Sequence, residues 1–224
     1  TRLQGDWSSD VCSSDLTSLI HVQDCGKYQQ LGTTRDDAAG EAFDKVARLL
    51  NLSYPGGPII DRMAKDGNPQ AFPLPEGKIS LPTGGFHAYD SSFSGLKTAV
   101  LRLVEKFEPD NLPVADIAAS FQDTVARSLT RRTINCALDY GLKTIAIGGG
   151  VAANSALRNH LETAAKNHHL TVYFPPLKLC TDNAAMIARA AVDHYDRGHF
   201  SDLSLGVRSR LPLSEVMQLY NISF

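Results

Sequence analysis

The stretch from Lys143 to Phe174 constrains this chain more than any other. Lys143 to Ile147 is rich in β-formers, Gly148-Gly149-Gly150 is a turn, Ala152 to Ala165 has helical spacing, and Leu170 to Phe174 reads as a second strand. Strand, helix and strand in that order predict a βαβ unit with parallel strands and a right-handed crossover. A chain built around such a unit is of the α/β class. The turn also lets main-chain N–H groups approach an anion at a helix N-terminus, where the helix dipole favours negative charge. Asn154, in the first turn of that helix, adds a side-chain donor and acceptor. The same glycines would also serve a tight turn needed only for packing.

The first sixteen residues, TRLQGDWSSDVCSSDL, read unlike everything after them. Ser-Ser-Asp occurs twice, no period is sustained, and no apolar run has the length of a signal peptide core. The string looks like read-through from a cloning or sequencing adapter, so residues 1–16 are set aside as non-native. Removing its one Arg and three Asp from the 22 basic and 24 acidic residues leaves a balanced charge. A dedicated nucleic-acid binder shows a basic excess, so any contact with RNA or DNA must come from a local patch or a partner. Four cysteines without CxxC spacing favour a reducing, cytoplasmic setting. No run approaches the roughly 18 apolar residues of a membrane-spanning helix.

From Thr17 the patterns become regular. Ser18 to Val22 and Tyr28 to Thr33 predict a hairpin across Asp24-Cys25-Gly26-Lys27. Asp36 and Asp37 are expected to open a helix with Phe43, Val46, Ala47 and Leu50 on its core face. A short helix over Ile59 to Lys65 follows the Pro/Gly loop at 54–58, and residues 66–90 form an excursion without a period. A second helix begins at Ser92-Phe93-Ser94, with Leu96, Val100, Leu103, Val104 and Phe107 on one stripe. A long third helix follows Pro113, its Ile117, Phe121, Val125 and Leu129 facing inward and Arg127, Arg131 and Arg132 lying elsewhere. Asp182 is expected to open the last clear helix, to about Tyr195.

Two acidic features admit opposed readings. Asp37, Glu41 and Asp44 fall at i, i+4 and i+7 on one helix face, a spacing that costs roughly 0.2–0.5 kcal/mol per like-charged pair. Such a face reads either as a site for ribose hydroxyls or a cation, or as a solvated face with Asp44 paired to Arg48. Asp182, after Leu179-Cys180-Thr181, reads as a helix N-cap or as one oxygen ligand of a metal. The histidines, His168-His169 and His194 with His199, lack metal-binding spacing and read as surface residues.

Taken in order, five segments resemble one family. They are Asp36-Asp37-Ala38-Ala39-Gly40-Glu41-Ala42-Phe43-Asp44-Lys45, Tyr54-Pro55-Gly56-Gly57-Pro58, Ser92-Phe93-Ser94-Gly95-Leu96-Lys97-Thr98, Gly148-Gly149-Gly150-Val151-Ala152-Ala153-Asn154 and Cys180-Thr181-Asp182-Asn183. The chain resembles the TsaD family, the tRNA threonylcarbamoyladenosine transferases once described as glycoproteases, from Thr17 to near its C-terminus.

The resemblance implies an actin-like, sugar-kinase-type (ASKHA) α/β fold of two lobes with the ligand between them. Residues 17–190 would be the C-terminal lobe, the N-terminal lobe being largely missing. Residues 191–224 would be a C-terminal helix and tail that pack on that missing lobe, whose loss is expected to leave an apolar patch. The implied reaction moves the threonylcarbamoyl group from threonylcarbamoyl-AMP to N6 of the adenosine 3′ of the anticodon in tRNA. Carried over by position, Asp44, Gly57, Asp61 and Asn154 would contact the adenylate, with Gly149 in the phosphate-cradling turn. Asp182 would be the carboxylate ligand of one metal ion, usually iron, and no residue is assigned as catalytic base. Implied partners are tRNA, a TsaB-like paralogue and a TsaE-like ATPase, in the cytoplasm and without a membrane.

The family's His-x-x-x-His metal pair and the Gly-Gly-His before Thr17 are absent. Asp182 then has no imidazole partners, and the 224-residue chain is expected to be inactive. The competing readings are another actin-like kinase or carbamoyltransferase and a non-catalytic paralogue or scaffold of the same complex. Retention of Asp44, Asn154 and Asp182 argues against the paralogue.

Overall fold

A computed structural model describes residues 17–204, the main chain of residues 7–12, and the isolated positions Gly206 and Leu213. Strands β2 (Ser18–Asp24) and β3 (Lys27–Thr33) form the expected antiparallel hairpin. Gly26 closes it at φ +80°, a conformation open to a residue without Cβ. β4 (Thr144–Gly149) and β5 (Thr171–Tyr173) pair in parallel, as the βαβ reading requires.

Between these pairs runs β1 (Trp7–Cys12), antiparallel to β2 and parallel to β4, giving the order β3-β2-β1-β4-β5. A segment set aside in the sequence reading therefore fills the middle of the sheet. The ladder is made by main-chain N–H and C=O groups that every non-proline residue carries, so hydrophobic alternation gave no sign of it. Residues 1–6 and 13–16 of that segment lie outside the described residues, as does most of the 191–224 tail beyond Ser204.

Five helices bury one continuous core: α1 (Ala39–Leu49), α2 (Gly56–Met63), α3 (Ser94–Val104), α4 (Val114–Asp139) and α5 (Ser155–Asn167). Phe43 meets Phe121 edge-to-face at 5.0 Å, joining α1 to α4. Ile117, Phe121, Val125 and Leu129 all face the core. Each such side chain contributes about 1.5–3 kcal/mol of burial.

Two helix starts differ from expectation. α1 begins at Ala39 without a side-chain cap, while Asp36 caps α3 instead. The Asp36 carboxylate accepts from the Phe93 N–H at 2.7 Å, from the Ser94 N–H at 3.3 Å and Oγ at 2.7 Å, and from Ser92 Oγ. Burial raises its pKa, but these donors outweigh burial and hold the carboxyl below its ordinary value. α2 starts three residues before the expected Ile59, because Asp44 supplies an acceptor for the N–H of Gly56.

Arg132 is the largest departure within a helix. It is 4% exposed rather than turned outward, and it lies against the aperiodic excursion. Its Nε donates to Asp90 O at 2.9 Å, Nη1 to Ser128 O at 3.1 Å and Nη2 to Gly77 O at 2.7 Å. The guanidinium thus supplies the donors that an irregular segment cannot find in a ladder. Burial, then the neighbouring Arg131, pushes its pKa down to about 10.

Helix α6 (Ala184–Tyr195) buries none of its residues. Ile187 is 66% and Tyr195 69% exposed, and Met186 and Val192 are also exposed. Its cap is Asn183, whose Oδ1 accepts from the Met186 N–H at 3.1 Å. Asp182 lies one residue too early to cap it, which corrects the sequence reading. His194 and His199 are half-buried rather than free on the surface, with Nδ1 atoms 3.1 Å apart.

Candidate functional site

The glycine turn is built as a strand end, not as a loop. β4 continues through Gly148 and Gly149, and Gly149 takes φ +83° and ψ 173°. That φ is unfavourable for any residue with a Cβ, so the turn requires glycine at this position. One 3-10 turn, Gly150–Ala153, then leads into α5. A Cβ added at Gly150 would meet nothing within 4 Å, so the backbone here faces open space.

Asn154 caps α5 by accepting from the Leu157 N–H at 3.0 Å. Its Nδ2 donates to Gln122 Oε1 on α4 at 2.8 Å and more weakly to Asp61 Oδ1 on α2 at 3.4 Å. Asn154 and Gln122 are both buried. The same Asp61 oxygen accepts from the Ser155 N–H at 3.0 Å and its Oγ at 2.6 Å. Asp61 therefore sits at the N-terminus of α5, where helix dipole and unpaired N–H groups favour a carboxylate.

Asp44 stands on α1 and accepts from the Gly56 N–H at 2.7 Å, so it fixes the start of the helix that carries Gly57 and Asp61. This replaces the pairing with Arg48, which is exposed. The other two carboxylates of that face, Asp37 and Glu41, converge on Lys45 Nζ at 2.8 and 2.7 Å. The hydrogen bonds that Lys45 donates to Asp37 first and Glu41 second hold its ammonium above its ordinary pKa. Gly56 is where the α1 and α2 backbones touch, for an added Cβ would lie 2.6 Å from Phe43 O. At Gly57 a Cβ would meet nothing within 4 Å.

Asp44, Gly57, Asp61, Gly149 and Asn154 thus sit on α1, α2 and the β4–α5 turn, linked through Asp61 and Asn154. None of them lines the groove of about 560 Å³ between α4 and α5 or the hollow of about 450 Å³ beside Glu76 and Arg131. Asp182 is different: it is exposed and makes no hydrogen bond or ion pair among the described residues. Its loop is held two residues earlier, at buried Cys180. Among the described residues no three His, Cys, Asp or Glu side chains form a metal site. A lone exposed carboxylate does not fit a bound transition metal.

Sequence reading missed Gln122, Ser155 and Arg158. Gln122 and Arg158 fall inside helices whose apolar spacing carries the signal, and nothing in that spacing marks a polar residue turned toward another helix.

The pattern of the TsaD family, tRNA N6-adenosine threonylcarbamoyltransferase, matches residues 11–189. The chain belongs to the TsaD family. It is 94% identical over 218 residues to the tRNA N6-adenosine threonylcarbamoyltransferase of Microcystis aeruginosa, covering 97% of this chain and 63% of that protein. The namesake from Gloeothece citriformis is 75% identical across 94% of this chain and 61% of its own length. The chain therefore spans less than two thirds of these TsaD relatives. Two solved HypF structures share the fold. T. kodakarensis HypF aligns with TM-score 0.50 and 23% identity over 72% of this chain and 20% of its own. Full-length HypF in a phosphate- and nucleotide-bound form aligns with TM-score 0.63 and 11% identity, covering 87% of this chain and 34% of its own. This TsaD chain has the mixed α/β architecture of the actin-like, sugar-kinase-type class.

Proposed function

We propose that this chain carries the adenylate-binding part of an enzyme that moves the threonylcarbamoyl group from threonylcarbamoyl-AMP to N6 of the adenosine 3′ of the anticodon in tRNA. The observation that carries the reading is the arrangement at the turn. A glycine-only strand end, open backbone at Gly57 and Gly150, and the Asp44, Asp61 and Asn154 network sit at adjoining helix N-termini. Main-chain N–H groups there suit the phosphate of an adenylate, and carboxylates suit ribose hydroxyls.

The donor is already activated. The N6 amine attacks the carbamoyl carbon, the bond to the phosphate oxygen breaks, AMP leaves with the electron pair, and N6 gives up a proton. The chain's contribution is to orient the donor and to face the phosphate, which gains charge as it leaves, with fixed dipoles. Metal use is a property of the family, and Asp182 would contribute one oxygen ligand to an iron site without holding the ion by itself. The described residues do not complete such a site, and no step is routed through it. We accordingly propose that the 224-residue chain does not turn over by itself.

The exposed apolar face of α6 fits packing against the part of the relatives that this chain does not span. Residues 1–16 are proposed as foreign to the natural protein on their doubled Ser-Ser-Asp and their lack of a period, although the family match takes in residues 11–16. A TsaB-like paralogue, a TsaE-like ATPase and tRNA are the proposed partners. Cytoplasmic residence agrees with the free thiols of Cys25, Cys136 and Cys180, and no helix among the described residues is long and apolar enough to cross a membrane.

Calorimetric titration with AMP tests the reading. Saturable binding is expected, with a loss of about tenfold or more in Gly57→Ala, whose added methyl would enter the open space. Absence of binding, or unchanged affinity in that variant, overturns it. Nucleoside mass spectrometry of tRNA is expected to detect the modification only with a chain spanning the relatives' full length.

A further inference from the structure

Arg158 lies one turn into α5 and reaches two separate segments at once. Its Nε donates to Ala152 O, in the turn before Asn154, at 2.6 Å. Its Nη2 donates to Pro175 O at 2.9 Å and to Cys180 Sγ at 3.5 Å. The guanidinium carbon stands 4.8 Å from the centroid of the Phe174 ring, at the end of the strand segment that leads into this loop. One planar cation therefore joins the glycine turn to residues 174–180. Cys180, 3% exposed, anchors the same loop in the core, and Asp182 follows two residues later. A guanidinium offers several N–H donors in a rigid plane, whereas an ammonium on a flexible stem does not match separate acceptors and a ring face together.

We infer that Arg158 is a positioning residue that clamps the Cys180–Asn183 loop to the glycine turn, so that a nucleotide at the turn tightens the loop bearing Asp182. The second half of this inference rests on the nucleotide reading of the turn; the clamp itself rests on geometry alone. Neither family motif contains Arg158. Its position between them makes the two motifs one unit, and coupling of this kind is reciprocal: what orders the loop also favours the ligand.

Three cysteines on different elements, two buried and one half-exposed, make the clamp measurable. Cys180 reports the loop, Cys136 in α4 reports the core, and half-exposed Cys25 reports labelling efficiency. The 224-residue chain is treated with N-ethylmaleimide and each site is followed by peptide mass spectrometry, with and without AMP. In Arg158→Gln, Cys180 is expected to react about tenfold faster than in the unaltered chain while Cys136 stays protected. Arg158→Lys, which keeps the charge but not the fork, should give a rise of about threefold. AMP should slow Cys180 labelling in the unaltered chain and leave it unchanged in Arg158→Gln.

Cys180 rates within about twofold of the unaltered chain in Arg158→Gln, with Cys136 protected, would overturn the clamp. If Arg158→Gln exposes Cys136 as well, the lysine variant decides: a rate equal to the unaltered chain's overturns the clamp, and a selective rise at Cys180 supports it. AMP protection of equal size in both chains overturns the coupling. Failure of AMP to bind the unaltered chain overturns the nucleotide reading, while the rates without AMP still judge the clamp.

Discussion

Around the glycine turn, each polar side chain of the motif is engaged by a neighbouring helix. Asp44 takes the Gly56 N–H, Asp61 takes Ser155, and Asn154 is fixed on one side by Leu157 and on the other by Gln122. Beyond Cys180 the same chain offers an exposed carboxylate and a helix that buries nothing. The two regions carry equally legible family motifs, yet in the first the carboxylates themselves are held by hydrogen bonds, whereas Asp182 makes none among the described residues. A motif states which residue types the chemistry uses; the packing around them states whether this stretch of chain can hold them in place.

The largest effect is expected in the packed part of the chain that supports the first region, at the buried cation of α4. Arg132→Met should cost roughly 3 kcal/mol, since the carbonyls of Gly77 and Asp90 would lose their donor. Urea denaturation measures it, and a loss under about 1 kcal/mol would show that the 66–90 excursion is held by something else. Next, Gly56→Ala forces a methyl to within 2.6 Å of Phe43 O. Separating α1 from α2 should cost about 2 kcal/mol by the same assay.

Asn154→Ala removes a cap and strands the buried Gln122 amide oxygen, for an expected loss of about 1.5 kcal/mol. Asp36→Asn should cost about 1 kcal/mol at neutral pH. Because the Asp36 pKa is lowered in the folded chain, its stabilisation is complete above the ordinary value of 3.8 and is lost as pH falls through the folded value. The asparagine variant should therefore lose less stability than the natural chain between neutral and acid pH, and parallel acid titrations of the two would refute this. Smallest of all, Ile187→Ser on the exposed α6 should change stability by less than about 0.5 kcal/mol while reducing self-association in light scattering. A large loss of stability there would erase the contrast between the two regions.

Much of the fold was legible because it rests on period. The apolar spacing of α1 and α4 follows burial, while the hairpin of β2 and β3 and the βαβ unit follow from β-forming runs broken by glycine turns. Three features were not. β1 is specified by main-chain pairing, which leaves no side-chain trace. The caps of α2 and α3 come from Asp44 and Asp36 on other elements, so the residues just before those helices gave no signal. The burial of Arg132 left no mark because two of its acceptors, the carbonyls of Gly77 and Asp90, are far along the chain.

By itself the sequence determined the α/β class, the glycine demanded by φ +83° at Gly149, and the family to which the ordered motifs belong. Those depend on local conformation and on residue identity, which a string of letters contains. Only the tertiary structure decided that Asp61 and Asn154 meet, that Asp182 stands apart from any hydrogen-bond partner among the described residues, and that Arg158 spans the interval. Such pairings join residues distant along the chain, and hydrogen bonds act only within about 3 Å, a separation that folding alone creates.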